Sequence, residues 1–429
     1  MKPIYHTLKN GLRVILVPTG GTSITTLLLI GAGSRYENQK NNGIAHFFEH
    51  MAFKGSKNFP DSFTIASTIE GMGGVFNAYT SKDHTGYYIK ATPDKLETMT
   101  KVLADMITAS KLEPAEIERE KGVIIEEINM YEDTPARRVG DIFDQLLYPK
   151  SSLGMDIIGT QDHIQSFNRQ TFLDYFSQLY FPNNAVFAIA GAISEDKKEQ
   201  QKLIELMDKY FGAWEKDQIS GFDSWSGKQS QAKVKTYFKK TEQAHFVLGF
   251  RAFGFNDPRR YTLSLLSAIL GGGMSSRLFI EVRERRGLCY YISTSKDQYV
   301  DAGCLVTQAG VKCDKKTLNE AIQVVIQEHK NIASNISTGN FNLDEELVRA
   351  KEMIKGRILL SLEDTQNLAS YYGTRMILGE ELISPQEVIE KIMQVTKKDI
   401  ITLAKDLVQE KNLNVAVIGP FNEEDIELS

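Results

Sequence analysis

The sequence contains little cysteine. Its three cysteines, Cys289, Cys304 and Cys313, all lie in the C-terminal half of the 429 residues. Their number is odd and no pair has the C-x-x-C spacing of metal ligands, so the sequence predicts neither a disulfide framework nor a cysteine zinc site. We expect three reduced and buried thiols.

An excess of charge of one sign is also absent. Lys plus Arg number 50 and Asp plus Glu number 55, which gives a net charge of −5 and a pI near 5.9. Without a basic excess, no nucleic-acid partner is predicted. No apolar run approaches the roughly 18 residues of a membrane span, and the N-terminal residues show no secretory signal. We therefore expect a cytoplasmic protein with no membrane partner, although a chain trimmed of a targeting segment would look the same.

The composition is typical of a globular protein. Hydrophobic residues make up 42% of the chain, charged residues 24%, and prolines number only 11, which argues against disorder. At roughly 100–200 residues per domain, the length predicts two to four domains.

A repeat of long period predicts the architecture. The tetrapeptide Thr-Ser-Lys-Asp starts at Thr80 and again at Thr294, each time before an apolar strand pattern and a helix start. A second similarity joins NAVFAIAG, which ends at Gly191, to NVAVIG, which ends at Gly419. These offsets predict duplicated halves of roughly 210 residues, unless the similarities are coincidental.

The predicted halves are residues 1–213 and 234–429. Residues 214–233, rich in charged residues, Gly and Ser, interrupt any periodicity and are predicted to be the linker.

Strand and helix patterns occur in both halves. Alternation predicts strands from Leu12 to Val17 and from Thr25 to Ile30, and helical spacing of apolar residues recurs in 96–106, 117–128 and 318–326. We therefore predict an α+β fold of two duplicated halves, each with a mostly antiparallel sheet that helices cover on one face.

The motif His46-Phe47-Phe48-Glu49-His50 is the sharpest chemical signal. Residues at i and i+4 share one face of a helix, so His46 and His50 can present two imidazoles to one metal ion, with Glu49 beside them to act on a water molecule. The chain has only seven histidines, so this spacing is informative. H-x-x-E-H is the inverzincin signature, and neutral imidazole suits zinc. The alternative is that both histidines simply pack against apolar neighbours.

A third ligand is predicted in the segment from Glu116 to Tyr131, which has helical character apart from Gly122. Adjacent Glu126 and Glu127 point about 100° apart on a helix, so only one can reach a shared ion. Glu127 and Glu120 share an apolar face with Val123, Ile124 and Tyr131, where carboxylates are costly unless paired or metal-bound. We therefore predict Glu127 as the ligand and Glu120 as a nearby supporting carboxylate. Glu120 as a surface ion-pair partner is the alternative.

With these residues the sequence resembles the M16, or pitrilysin-type, metallopeptidases. In that family HxxEH is followed by a glutamate after 76 intervening residues, which is the separation of His50 from Glu127 here. The run from Glu120 to Glu127 also matches, with lysine in place of a frequent arginine, as does GAGSRYE at 31–37. The resemblance spans essentially the whole chain. It implies a zinc endopeptidase with one Zn2+ per chain, in which Glu49 activates the zinc-bound water and peptides or extended polypeptide segments are cut inside a dimeric chamber.

The resemblance also implies residues that contact the substrate. Arg283 and Tyr290 match an arginine and tyrosine that the family brings near the zinc from the facing half, where they can donate hydrogen bonds to the developing oxyanion. Asn77 and Ala78 match a strand edge that binds extended peptide. Without the resemblance, Arg283 would be a helix-surface charge, Asn77 a residue near a turn, and Ala78 a small residue at a close approach.

The length resembles that of processing-peptidase chains, each of which forms half a clamshell and dimerises. We expect a homodimer, with a heterodimer of related chains as the alternative. Because the family includes members without activity, a non-catalytic or partner subunit is a competing interpretation, and a metallohydrolase of another substrate class is a third. The intact HxxEH motif and Glu127 favour the peptidase.

Overall fold

A computed structural model describes residues 3–336 and 341–428 of the chain. The chain separates into two compact units. Unit 1 comprises Met1–Ile128, Met155–Asp223 and Leu360–Leu382. Unit 2 comprises Asn129–Gly154, Ser224–Leu359 and Ile383–Ser429.

Each unit has one β-sheet. The strands of unit 1 are β1 (Ile4–Thr7), β2 (Arg13–Pro18), β3 (Ile24–Ile30), β4 (Val75–Thr80), β5 (Thr85–Ala91) and β6 (Ala185–Gly191). The strands of unit 2 are β7 (Lys233–Phe238), β8 (Gln243–Ala252), β9 (Cys289–Gln298), β10 (Gly303–Lys312) and β11 (Leu413–Gly419).

The helices are distributed over both units. They are α1 (Ile44–Met51), α2 (Ser62–Gly71), α3 (Leu96–Thr108), α4 (Pro114–Glu132), α5 (Pro135–Leu147), α6 (Gln161–Ser166), α7 (Arg169–Leu179), α8 (Lys197–Phe211), α9 (Arg260–Gly271), α10 (Lys315–Ala333), α11 (Leu343–Ser361), α12 (Thr365–Ile377), α13 (Pro385–Gln394) and α14 (Lys397–Leu407). A π-helix spans Phe279–Glu284.

The two sheets share one strand order. In unit 1 it is β1-β2-β6-β3-β5-β4, and in unit 2 it is β7-β11-β8-β10-β9. Apart from β1, the positions correspond one to one. In each sheet one neighbouring pair is parallel, β2 with β6 and β7 with β11, and the others are antiparallel. The predicted α+β class, with two similar and mostly antiparallel halves, is therefore confirmed.

The units do not follow the two halves along the chain. Helix α12, from the C-terminal half, packs on β3 and β6 of unit 1, where Leu368 and Tyr372 join the buried core. Helix α5, from the N-terminal half, packs on β8 and β11 of unit 2 through Val139 and Phe143. Each unit thus contains one helix from the opposite half, and the boundaries 1–213, 214–233 and 234–429 stay a prediction about the sequence repeat.

Helices cover both faces of the unit 1 sheet. Side chains alternate along a strand, so Leu27 and Leu29 of β3 meet α12, while helix α3 packs on β3 and β5. All of β3 and β6 is buried as a result. This corrects the expectation of cover on one face, and it explains why these strands are apolar throughout.

The predicted limits of two strands are confirmed. Strands β2 and β3 begin and end within one residue of their predicted limits. Residues 215–230 contain no helix or strand, β7 begins at Lys233, and the linker at 214–233 stays a prediction. All three cysteines are free, but only Cys304 is buried, so burial was wrongly predicted for Cys289 and Cys313. None of the described helices is both long enough and apolar enough to span a membrane.

The close packing of α12 on the unit 1 sheet at Gly373 can be tested by measuring the free energy of unfolding. A Cβ added at Gly373 would lie 2.7 Å from Cδ1 of Leu29 and 3.5 Å from Cβ of Ala188. Gly373→Leu should therefore overpack the core and lower the free energy of unfolding by about 1–3 kcal/mol in urea unfolding curves. Gly356→Leu is the matched control, because a Cβ there meets nothing within 4 Å. It should be neutral or stabilising by about 0.5–1 kcal/mol, and an equal loss in both variants would contradict the packing argument.

Candidate metal centre

Helix α1 (Ile44–Met51) carries the predicted HxxEH motif. Its apolar side chains face the core, whereas His46, Glu49 and His50 are only partly buried. The buried residues of α1 are Ile44, Ala45, Phe47, Phe48 and Met51. This amphipathic division fixes the side of the helix on which the three polar side chains lie together.

His46, His50 and Glu127 converge on one point. One ligand atom from each lies within 4.8 Å of the others. The Oε2 atom of Glu127 is 3.7 Å from Nε2 of His46 and 3.5 Å from Nε2 of His50. Donors bound at about 2.0–2.1 Å to one tetrahedral ion lie ~3.3 Å apart, so two imidazoles and a carboxylate at these separations fit zinc.

Helix α4 supplies the carboxylate. It runs without a break through Gly122, where helical character was expected to fail. Glu127 is half-buried beside the histidines, whereas Glu126 is exposed. The predicted choice between the two glutamates therefore agrees with the geometry, although Val123 of the expected apolar face is exposed.

Glu120 lies behind His50. Its Oε1 atom is 2.9 Å from Nδ1 of His50, and its Oε2 atom is 2.5 Å from Nζ of Lys54. Glu120 is 3% exposed, so the pair with lysine is not a surface ion pair. A carboxylate that accepts from Nδ1–H sets the tautomer in which Nε2 offers its lone pair to a metal.

Protons compete with a cation in this cluster. Burial opposes the charged form of His50, but hydrogen bonds to Glu120 and Glu127 outweigh it and raise the pKa to about 9. Burial would raise the pKa of Glu120, yet the hydrogen bonds from His50 and Lys54 hold it below its usual range. These shifts belong to the metal-free cluster, because a cation bound at Nε2 of His50 displaces its proton.

Glu49 has a hydrogen-bond partner outside the cluster of His46, His50 and Glu127. The hydroxyl of Thr80, at the end of β4, donates to Oε2 of Glu49 at 2.7 Å. Burial raises the pKa of Glu49, and the hydrogen bond from Thr80 opposes that rise. A carboxylate with a raised pKa is a stronger base, which is what removal of a proton from water requires.

The expected peptide-binding residues lie on β4, the end strand of the unit 1 sheet. Asn77 is exposed and Ala78 is buried. The Oδ1 atom of Asn77 accepts from the backbone N–H of Ala78 at 2.9 Å, so a peptide strand that pairs with this N–H would have to replace that bond. The same strand ends at Thr80, which contacts Glu49.

Arg283 and Tyr290 belong to unit 2 and lie close to each other. The Arg283 guanidinium is 4.7 Å from the ring centroid of Phe279 and 5.4 Å from that of Tyr290. Arg283 lies in the π-helix, and exposed Tyr290 is the extra residue of a β-bulge, since Val311 pairs with Cys289 and Gly310 with Tyr291. Both irregularities re-aim side chains and are frequent at functional sites.

Sequence reasoning missed two residues of the site. Lys54 lies four residues after His50 and just beyond the end of α1, and this spacing from His50 is the signal that could have pointed to a pair with Glu120. Thr80 stands out in the sequence only as the start of a repeated tetrapeptide, and nothing in the sequence pairs it with Glu49.

Comparison with known proteins agrees with this geometry. Residues 13–161 match the family described as insulinase (peptidase family M16), and residues 166–346 match the peptidase M16 inactive domain. The uncharacterized zinc protease YmxG of Bacillus subtilis (strain 168) is 35% identical over 97% of this chain and 98% of that protein. The β subunit of the mitochondrial-processing peptidase of Bos taurus is 32% identical over 97% of this chain and 84% of that protein.

Solved structures share the fold. A protease from Helicobacter pylori superposes with a TM-score of 0.89 and 24% identity, covering 98% of this chain and 99% of that one. A peptidase M16 inactive domain from Pseudomonas fluorescens gives a TM-score of 0.87 at 18% identity, covering 98% of each chain. With its matches to both M16 domains and to zinc proteases along nearly its whole length, the chain belongs to peptidase family M16.

Proposed function

We propose that this chain is a zinc endopeptidase that cuts peptides or extended polypeptide segments. The observation that carries the proposal is that Glu49 directly precedes His50 on α1 and interacts electrostatically with His50 and Glu127 of the three-residue cluster. Zinc-protease relatives support the metal, and membership of the family supports a peptide substrate.

The residues divide the chemistry between them. His46, His50 and Glu127 would hold the zinc, which supplies Lewis acidity to water and to the scissile carbonyl. Glu49 takes the proton of the attacking water on its carboxylate and returns it to the leaving amine, so the peptide bond breaks as a carboxyl group and an amine form. Thr80 holds the Glu49 carboxylate in place, and Glu120 orients His50.

The competing interpretation is a non-catalytic or partner subunit. In this family, subunits without activity usually lack part of the HxxEH motif or the distal glutamate. Here His46, Glu49, His50 and Glu127 are all present, and the two histidines and Glu127 lie close together, which favours the enzyme.

Substrate binding is proposed at β4. Main-chain pairing with an edge strand accepts many sequences, so we expect broad specificity set by a few side-chain contacts. Asn77 and Ala78 would provide the pairing positions, and the strand direction leads to Thr80 and Glu49.

Zinc content tests the ligand set. We expect one zinc per chain in the wild type, a strong loss in Glu127→Gln, and no loss in Glu126→Gln, because only Glu127 lies beside the two histidines. The measurement is metal analysis by mass spectrometry after dialysis against a weak chelator. Equal zinc loss in both variants, or loss only in Glu126→Gln, would overturn the assignment.

Turnover tests the role of Glu49. Glu49→Gln keeps the shape of the side chain but removes the basic oxygen, so zinc content should stay at the wild-type level while hydrolysis of a quenched fluorescent peptide falls by about 10²–10⁴-fold. The wild-type enzyme and the Glu126→Gln variant, each with and without chelator, are the controls. Appreciable activity in zinc-loaded Glu49→Gln would mean that another group is the base.

We further propose that Arg283 and Tyr290 serve the site of a second copy. The chain carries both a zinc cluster and this pair, so a symmetric homodimer in which each chain offers both would complete two sites. The relatives named as a β subunit make a heterodimer the alternative.

Subunit mixing distinguishes these arrangements. Glu49→Gln and the double variant Arg283→Ala, Tyr290→Phe should each be inactive alone. After exchange, half of the dimers are hybrids with one intact site of two, so activity should recover to about a quarter of the wild-type value. If both proteins stay inactive after exchange is verified by mass spectrometry, a shared site is excluded.

A further inference from the structure

The N-terminus of helix α1 cannot provide its own cap. Gly43 occupies the N-cap position with φ of 98°, in the left-handed region. A Cβ at Gly43 would lie 2.7 Å from the carbonyl oxygen of Ile158 and 3.0 Å from Cα of Gly159. A serine, threonine or aspartate is therefore excluded at this position, and the free N–H groups of the first turn need another acceptor.

Glu37 supplies that acceptor. Its Oε2 atom accepts from the Gly43 N–H at 2.8 Å and from Nδ2 of Asn42 at 2.9 Å, and its Oε1 atom accepts from the Ala45 N–H at 2.8 Å. The residue is 5% exposed. Burial raises the pKa of Glu37 to about 7, while the two backbone N–H groups and the Asn42 amide oppose that rise. A negative group here also faces the positive end of the helix dipole.

The segment that carries Glu37 is itself fixed. The N–H groups of Ser34 and Arg35 donate to the carbonyl oxygens of Ser81 and Lys82 at 3.1 and 2.9 Å. The Arg35 guanidinium is 2.7 Å from the Asp83 carboxylate, and both side chains are buried. The segment that carries Glu37 is therefore anchored to residues 81–83, so the position of its carboxylate does not depend on helix α1 alone.

The residues that hold the Glu37 segment, 81–83, directly follow Thr80, whose hydroxyl donates to Glu49. Helix α1 is thus fixed at its first turn by Glu37 and near its last turn by Thr80. These two contacts are linked, because the segment of Glu37 is bound to the residues that follow Thr80. His46 directly follows Ala45, whose N–H is bound by Glu37, so a shift of the first turn moves a predicted ligand.

We propose that Glu37 is a positioning residue for the metal centre, which caps α1 from outside the helix and thereby sets His46 and His50 toward Glu127. The inference rests on the proposed function, because it requires that α1 bind zinc. No contact between Glu37 and the metal or the substrate is involved.

The test is Glu37→Gln in the full chain. An amide has one acceptor oxygen in place of two, so at least one buried N–H of the first turn loses its partner. We expect zinc affinity, measured by chelator competition, to weaken roughly tenfold, and the visible absorption bands of the Co²⁺-substituted protein to change in shape. Both readouts are taken well below the melting temperature, so that a loss of stability alone does not affect them.

Asp105→Asn is the matched control. Asp105 is also a buried carboxylate of unit 1, 8% exposed, and accepts from the Ser56 hydroxyl at 2.6 Å and from the Asn58 N–H and Nδ2, each at 2.7 Å. It holds a loop and not the first turn of α1. We expect a comparable fall in melting temperature with zinc affinity and the Co²⁺ spectrum unchanged.

Asn42→Ala provides a milder second variant if Glu37→Gln does not fold. It removes one donor to Glu37 and one bond to the Asp156 carbonyl, so it should weaken zinc binding in the same direction by a smaller factor. Wild-type affinity and spectrum in either folded variant, Glu37→Gln or Asn42→Ala, or changes equal to those of Asp105→Asn, would overturn the inference. A wild-type protein that binds no zinc would overturn the proposed function as well, which separates the two failures.

Discussion

Burial of carboxylates beside α1, the helix that carries the candidate metal ligands His46 and His50, is the constraint on which the site depends. Glu120 and Glu37 are both removed from water, which costs several kcal/mol for a charge without partners. Each is offset by donors in fixed positions: His50 and Lys54 for Glu120, and the first turn of α1 for Glu37. His50 and the first turn of α1 are among those donors, so the requirement that buried charge be satisfied also orients the helix that carries both imidazoles.

The parts that the sequence predicts are those that local spacing determines. The i, i+4 pair His46 and His50 needs only helical geometry, and the apolar patterns of β2 and β3 need only an alternating or buried strand. Glu127 follows from combining spacing with the cost of a carboxylate on an apolar face. The glutamate chosen in this way is the one that lies beside the two histidines, although Val123 of the expected apolar face is exposed and Ile124 is buried.

The remaining features depend on contacts distant in sequence. The bulge at Tyr290 is defined by pairing with β10, where Gly310 lies opposite Tyr291 and Val311 opposite Cys289, and no pattern within β9 indicates it. Helix α4 passes through Gly122 because packing along the helix outweighs a penalty of about 1 kcal/mol for glycine. The sequence also does not predict that α5 packs in unit 2 and α12 in unit 1. The apolar face of an amphipathic helix does not indicate which sheet that helix covers.

The packing of α12 in unit 1 orders events during synthesis. The strands of the unit 1 sheet are complete once Gly191 has been made, but the helix that covers the face of Leu27 and Leu29 ends at Ile377. At roughly 5–20 residues per second, translation of the intervening chain takes on the order of 10–40 s. Throughout that interval the sheet face of Leu27 and Leu29 lacks the helix that covers it in the folded chain, and a fragment that stops before α12 would expose this apolar surface.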